Sequence, residues 1–295
     1  MWLNQLQTRL ARIYYRLSNQ SHWRGKFNNP ATSLLQIPGP AGSMAARMYT
    51  TGASGNLPLV LYFHGGGWTI GDLDTHHPFC QVLNEQAGVT VLALDYRLAP
   101  EHPWPAAQDD CLAAAEWVTD HLAELGPNNG SLVIAGDSAG GNLTACSALD
   151  LSTAARQALC GIAALYPAVD HPERVWPSYS EQARSGPLTT KLMLWFWKNY
   201  LGDTPPADAM AARPLQSNRL GELPPVFSIP ADRDPLRDEG QAFAEAVANP
   251  GVSVQHRHVP EAAHGFACSE GPTKDFHTFI TDFREWLVSV GGKSG

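Results

Sequence analysis

From residue 57 onward, short runs of apolar and β-branched residues alternate with longer segments whose apolar positions recur at helical spacing. The runs 57–63 (LPLVLYF), 89–94 (VTVLAL), 131–135 (SLVIA), 161–166 (GIAALY), 225–229 (PVFSI) and 252–258 (VSVQHRH) are predicted strands. Between them lie predicted helices over 76–87, 107–124, 138–149, 236–248 and 273–289, and Met44–Thr50 reads as an antiparallel edge strand. Strand and helix in regular succession predict an α/β fold: a mostly parallel central sheet flanked by helices, with no second independent core.

Two segments interrupt this rhythm. Residues 167–222 are rich in Pro and Trp and contain an aromatic helical stretch, 188–201 (LTTKLMLWFWKNYL), too long for a simple strand-to-helix connection. An insertion of that length at the carboxyl edge of a sheet predicts a helical cap. Residues 1–30 are basic and helical. At 100° per residue Trp2, Leu3, Leu6, Leu10, Ile13, Tyr14 and Leu17 fall within an arc of about 120°, with Arg9, Arg12 and Arg16 in a stripe beside it. The expected division is a catalytic body of residues 44–166 and 223–295, with a cap built from residues 1–43 and 167–222.

The 295 residues allow one large domain or two. Hydrophobic residues make up 44% of the chain and charged ones 16%, so a sizeable core is available and disorder or a collagen-like architecture is excluded. The net charge of −8 argues against nucleic acid as a partner. That charge is unevenly spread: six basic and no acidic side chains precede Asp72, leaving +6 on residues 1–71 and −14 on the rest. The basic amphipathic start suits either a membrane-surface helix or a cap helix with its apolar face over a cleft and its arginines towards an acidic body. The cap is the preferred reading, with no obligate membrane association. Five widely spaced cysteines without a C-x-x-C pair point to free thiols in a reducing, cytoplasmic setting and to no zinc site. Neither a secretory signal nor a spanning apolar run is recognisable.

Gly136-Asp137-Ser138-Ala139-Gly140 is a G-x-S-x-G segment placed directly after a predicted strand and before a predicted helix. In that setting the serine sits on a sharp turn at a helix N-terminus, its oxygen projecting from the sheet as a nucleophile; the bland alternative is a serine that merely caps the helix. His64-Gly65-Gly66-Gly67-Trp68, just after the first strand, adds a glycine loop whose Gly66 and Gly67 amides, with that of Ala139, suit an oxyanion hole. A serine hydroxyl needs a base, and the base an orienting acid. Among the downstream histidines, His256 and His258 alternate within a predicted strand, His277 lies in the last helix and His171 in the insertion. His264 occupies a loop past the last strand, where it can reach over the sheet edge. Asp232, Asp234 and Asp238 all follow the strand ending near Ile229; Asp234 precedes a proline, which favours an extended conformation there, while spacing alone leaves Asp232 open.

His64-Gly65-Gly66-Gly67-Trp68, the Asp95–Pro103 segment DYRLAPEHP, Gly136–Asn142, Asp234-Pro235-Leu236 and His264-Gly265-Phe266 occur in the order found in the hormone-sensitive-lipase family of esterases, and the chain resembles its bacterial branch over roughly residues 57–290. The resemblance implies an α/β-hydrolase fold, a triad of Ser138, Asp234 and His264, an oxyanion hole at Gly66, Gly67 and Ala139, and no cofactor or metal. It implies a serine carboxylesterase acting on short- to medium-chain esters through an acyl-enzyme, with a small-molecule ester as partner and a homodimer left open. An interfacial lipase and a non-catalytic small-ligand receptor on the same scaffold are the alternatives. Asp95, Arg97 and Glu101 are expected to form a charge network bracing the glycine loop, and His64 to support that loop through hydrogen bonds. Of the tryptophans, Trp68 and Trp195 are candidate substrate contacts, against the plainer reading of core aromatics.

Overall fold

The chain opens with helix α1 (Trp2–Trp23), followed by strands β1 (Ser33–Gly39), β2 (Gly42–Tyr49) and β3 (Leu59–Phe63), helix α2 (His77–Val82), β4 (Val91–Leu94), α3 (Ala106–His121), β5 (Leu132–Asp137) and α4 (Ala139–Asp150). The single-turn helix α5 (Thr153–Arg156) leads to β6 (Leu159–Leu165), α6 (Ser178–Glu181), α7 (Thr190–Leu201), β7 (Val226–Ile229), β8 (Ala231–Arg233), α8 (Arg237–Ala248), β9 (Val254–His256), β10 (Val259–Ala263) and α9 (Lys274–Gly291). This is a computed structural model, and it describes residues 2–23, 32–202, 209–257, 259–269, 271 and 273–292.

Eight strands form one sheet in the order β1-β2-β4-β3-β5-β6-β7-β9. It is parallel from β4 to β9 and antiparallel where β2 meets β1 and β4. Strand β3 shows how alternation builds the core. Leu59, Leu61 and Phe63 join the layer that includes α3 and α4, while Val60 and Tyr62 join the opposite layer with residues of α2 and α9. The chain runs from β3 outward to β4 and then returns past β3 to β5, so the order of strands reverses there. The crevice beyond the carboxyl ends at such a reversal is where open α/β sheets bind ligands.

Two expectations change. Residues 33–39 were expected to belong to a helical cap, yet they form an edge strand paired in register with β2, Gly39 opposite Gly42. Ile37 turns inward, fully buried, and Pro38 is tolerated because an edge strand need not donate on both sides. The orientation of α1 is also opposite to that expected. Leu6, Leu10, Ile13, Tyr14 and Leu17 point outward, 43–75% exposed, whereas Thr8 and Asn19 are buried. The surface beneath α1 offers carboxylates and main-chain carbonyls: Arg12 bonds Thr69 O, Ala99 O and Glu101, Arg16 bonds Asp72, and Asn19 bonds Thr75 O. Arg12 and Arg16 of the basic stripe therefore face the acidic body, with Arg9 exposed, and they carry the polar face inward with them. The side chains of Trp2 and Leu3, named in the helical arc, lie outside the described residues, as does His258.

Helix α7 packs with its apolar stripe inward. Thr189 caps it by accepting from Leu192 N at 3.1 Å, and Met193, Phe196, Trp197 and Tyr200, spaced i, i+3, i+4 and i+7, are buried. Tyr200 stacks parallel to Trp68 at 4.2 Å and Trp197 meets it at 4.5 Å, which fixes α7 against the loop after β3.

Candidate active site

Ser138 stands between the last residue of β5 and the first of α4 with φ of 54°, a conformation uncommon for a residue with a side chain. The turn is that tight because α4 must start against β3: a Cβ at Gly140 would lie 2.0 Å from Phe63 O. Ser138 Oγ does not cap α4, so the plainer reading of this serine does not hold. Its oxygen lies instead 3.0 Å from His264 Nε2.

His264 and Asp234 reach this point from adjacent strands. β8 and β10 pair in parallel, and each side chain follows the end of its strand. His264 Nδ1 donates to Asp234 Oδ2 at 2.6 Å, and Asp234 Oδ1 accepts from Leu236 N at 2.9 Å. With Nδ1 carrying the proton, Nε2 presents its lone pair to the serine hydroxyl. The other two aspartates are occupied elsewhere: Asp232 accepts from Glu261 N, and Asp238 accepts from Ser178 N and Arg237 Nε. His171 lies beside Trp197, His256 is an exposed residue of β9 and His277 is on α9.

The peptide planes around Ser138 are pinned through their carbonyls. In a trans peptide the N–H points opposite to the C=O, so a fixed carbonyl fixes the amide that follows it. Gly65 O accepts from His64 Nδ1 at 2.8 Å, which sets the Gly66 amide. Gly66 O accepts from Thr69 N and Ile70 N, which sets that of Gly67. Ser138 O accepts from Asn142 N and Ala168 N, which sets that of Ala139. Gly67 itself has φ of 56°, and a Cβ there would lie 2.0 Å from the Phe196 ring.

His64 is buried and stacks on Tyr96 at 4.3 Å, while Tyr96 OH donates to His64 O at 2.6 Å. Burial, followed by the nearby His76, pushes the His64 pKa down to about 4, so the ring stays neutral and keeps its place in the loop. Tyr96 thus braces the loop. The expected network of Asp95, Arg97 and Glu101 does not form: Arg97 pairs with Asp110 at 2.7 Å, Glu101 with Arg12 at 2.8 Å, and the Asp95 side chain is exposed. Arg97 and Glu101 reach different partners because the chain enters a turn at residues 99–101.

Asp137 was missed by the sequence reasoning, although a carboxylate closing an apolar strand was a visible signal. It is buried and accepts from Tyr62 OH at 2.5 Å and Gly65 N at 2.8 Å, with His76 Nε2 at 3.4 Å. Burial alone would raise its pKa, but His76 and these donors hold it below the usual carboxylate value. Asp137, His76 and Cys268 place donor atoms within 4.8 Å of one another. They do not suit a metal: Cys268 is hydrogen-bonded to Tyr62 and Tyr166, and burial keeps its thiol protonated well above the ordinary range.

Two cavities flank Ser138. The larger, about 440 Å³, is lined by Gly66, Gly67 and His264 together with Tyr15 of α1 and Leu192 of α7. The smaller, about 10 Å³, lies against Gly67, Trp68, Ala139, Met193 and Trp197. Trp195, a candidate contact, lines neither cavity and packs beside Phe196 instead; at 100° per residue it lies off the inward stripe of α7.

The chain is similar in sequence and fold to known proteins. A family described as having the alpha/beta hydrolase fold matches residues 60–268. The carboxylic ester hydrolase LipN of Mycobacterium tuberculosis is 40% identical over 250 residues, covering 79% of this chain and 63% of LipN. The carboxylesterase NlhH of the same organism is 39% identical over 214 residues, covering 72% of this chain and 67% of NlhH. The chain thus spans about two thirds of the length of these curated relatives. A solved esterase of Pyrobaculum calidifontis superposes with a TM-score of 0.87 at 34% identity, covering 96% of this chain and 92% of that one.

Proposed function

The chain belongs to the alpha/beta-hydrolase family, among its hormone-sensitive-lipase-like carboxylic ester hydrolases, and from that premise we propose that it is a serine carboxylesterase with Ser138, His264 and Asp234 as its triad. The observation that carries this is the continuous relay from Asp234 Oδ2 through both nitrogens of His264 to a serine oxygen held on a strained turn. Ser138 Oγ attacks the ester carbonyl as its proton passes to His264 Nε2, and Asp234 stabilises the imidazolium that results. The oxyanion that develops is met by the amides of Gly66, Gly67 and Ala139, each donor contributing roughly 2.7–4 kcal/mol to the transition state. The tetrahedral intermediate collapses as His264 returns the proton to the departing alkoxide, and water then repeats the sequence on the acyl-enzyme. None of these steps calls on a cofactor.

Helix α1 and the α6–α7 segment form the cap in this reading, since Tyr15 of α1 and Leu192 of α7 both line the larger cavity. Five unpaired cysteines, four of them buried, fit a reducing compartment. Replacing Ser138 by Ala is expected to abolish turnover of nitrophenyl acetate and labelling by a fluorophosphonate probe while leaving the circular dichroism spectrum unchanged; turnover near the wild-type level would refute the assignment. A second reading, hydrolysis at a lipid surface, draws on the exposed apolar stripe of α1 beside the cavity. It requires a rate that jumps when substrate passes from solution to emulsion, which the carboxylesterase reading does not.

A further inference from the structure

The two cavities beside Ser138 are unequal, and the proton path tells which half of an ester each must hold. When the tetrahedral intermediate breaks down, the bond from carbon to the alkoxide oxygen breaks, and that oxygen takes the proton from His264 Nε2. The leaving oxygen must therefore lie on the His264 side of the reacting carbon, and the acyl substituent on the other side. His264 lines the cavity of about 440 Å³ and does not line that of about 10 Å³. From this we propose that the large cavity is the alcohol site, that the small one is the acyl site, and that Met193 and Phe196 of α7 limit the acyl group to acetyl. This rests on the serine carboxylesterase reading and narrows it to small acyl esters of bulky, apolar alcohols.

The sizes decide the matter. A space of about 10 Å³ admits about one water-sized group, which corresponds to the methyl of an acetate. Its walls have little room to retreat: Met193 and Trp197 are 2% exposed, and Trp68 is 1% exposed beneath the stacked Tyr200. Phe196 and Leu188 border both cavities and form the partition between them. Phe196 cannot swing towards the loop because its ring already rests on Gly67. The alcohol side is different, because Tyr14, Tyr15, Ile70 and Leu192 give it a long apolar lining.

Two ester panels test the partition. In the first the alcohol is fixed as nitrophenol and the acyl group runs from acetyl to octanoyl; in the second the acyl group is acetyl and the alcohol runs from ethanol to octanol and naphthylmethanol. For the wild type, kcat/KM should fall at least tenfold from acetate to hexanoate and should not fall with alcohol size. Met193→Ala and, as a milder variant, Met193→Val, at a side chain that lines the small cavity and not the large one, should each raise hexanoate relative to acetate about tenfold or more while keeping the ranking of the acetates. Rates are taken per serine titrated by a fluorophosphonate, so that loss of folded protein does not enter. A wild-type preference for hexanoate, variants that reorder the acetates, or variants that leave the acyl profile unchanged would overturn the partition. No turnover of either panel with no labelling of Ser138 would overturn the esterase reading itself.

Discussion

Substituting Arg12 by Ala tests whether α1 is a working wall of the larger cavity. Arg12 bonds two main-chain carbonyls, Thr69 O at 2.9 Å and Ala99 O at 3.1 Å, and grips Glu101 through both terminal nitrogens at 2.9 and 2.8 Å. The Glu101 side chain is 41% exposed, so that pair is screened and contributes about 0.5–1 kcal/mol at most. The two bonds from a charged donor to carbonyls are half-buried and contribute about 1–1.5 kcal/mol each. Their loss weakens the docking of α1 by about 3 kcal/mol, a shift of roughly a hundredfold between docked and undocked helix. The far end stays anchored, because Trp23 is fully buried and donates to Cys268 O at 2.9 Å. Amide exchange in the first four turns of α1 should therefore accelerate strongly, with β5 unaffected. Esters of large alcohols should lose kcat/KM through KM, while ethyl acetate, too small to reach Tyr14 and Tyr15, should change little. Arg9→Ala, at an exposed position one turn earlier, serves as the control. Unchanged exchange in α1 would refute the clamp. Faster exchange with an unaltered KM for octyl acetate would refute the wall.

The body of the fold was legible because its strands and helices carry their period in consecutive residues. The predicted helix 236–248 and Arg237–Ala248 differ by one residue, and the run 225–229 became Val226–Ile229. Ser33–Gly39 escaped because its pattern is interrupted by Pro38 and Gly39, and only pairing with β2 gives it a strand's environment. The wheel of α1 located an apolar arc but not the side it faces. That was decided by Glu101, Asp72 and the carbonyls of Thr69 and Ala99, which are remote in sequence. The choice among Asp232, Asp234 and Asp238 is of the same kind. All three lie within seven residues, and the pairing of β8 with β10 is what brings Asp234 alone to His264. Trp195 lies off the face that borders the serine: its neighbours Phe196 and Trp197 line the small cavity because Met193 and Tyr200 set the rotation of α7.

Asp234→Asn should leave the fold intact and lower kcat by about 10³–10⁴, since the amide favours the tautomer with its proton on the serine side; a loss below tenfold would show that another group orients His264. Gly67→Ala forces a side chain into φ of 56° and onto Phe196, displacing one of the proposed oxyanion donors, so kcat should fall by about 10²–10³; a change confined to KM would place the defect in binding. The last prediction concerns pH. Because burial depresses the His64 pKa to about 4 in the folded protein, against roughly 6.5 unfolded, the unfolded chain alone gains a proton as pH falls through this window. The stability that neutral His64 contributes is thus complete above pH 6.5 and declines towards pH 4, by about 3 kcal/mol in all. Urea midpoints between pH 7 and 4 should fall less steeply in His64→Gln, by a slope of about one proton; equal slopes in the two proteins would mean that another group governs acid unfolding and that His64 does not hold the glycine loop as a neutral ring.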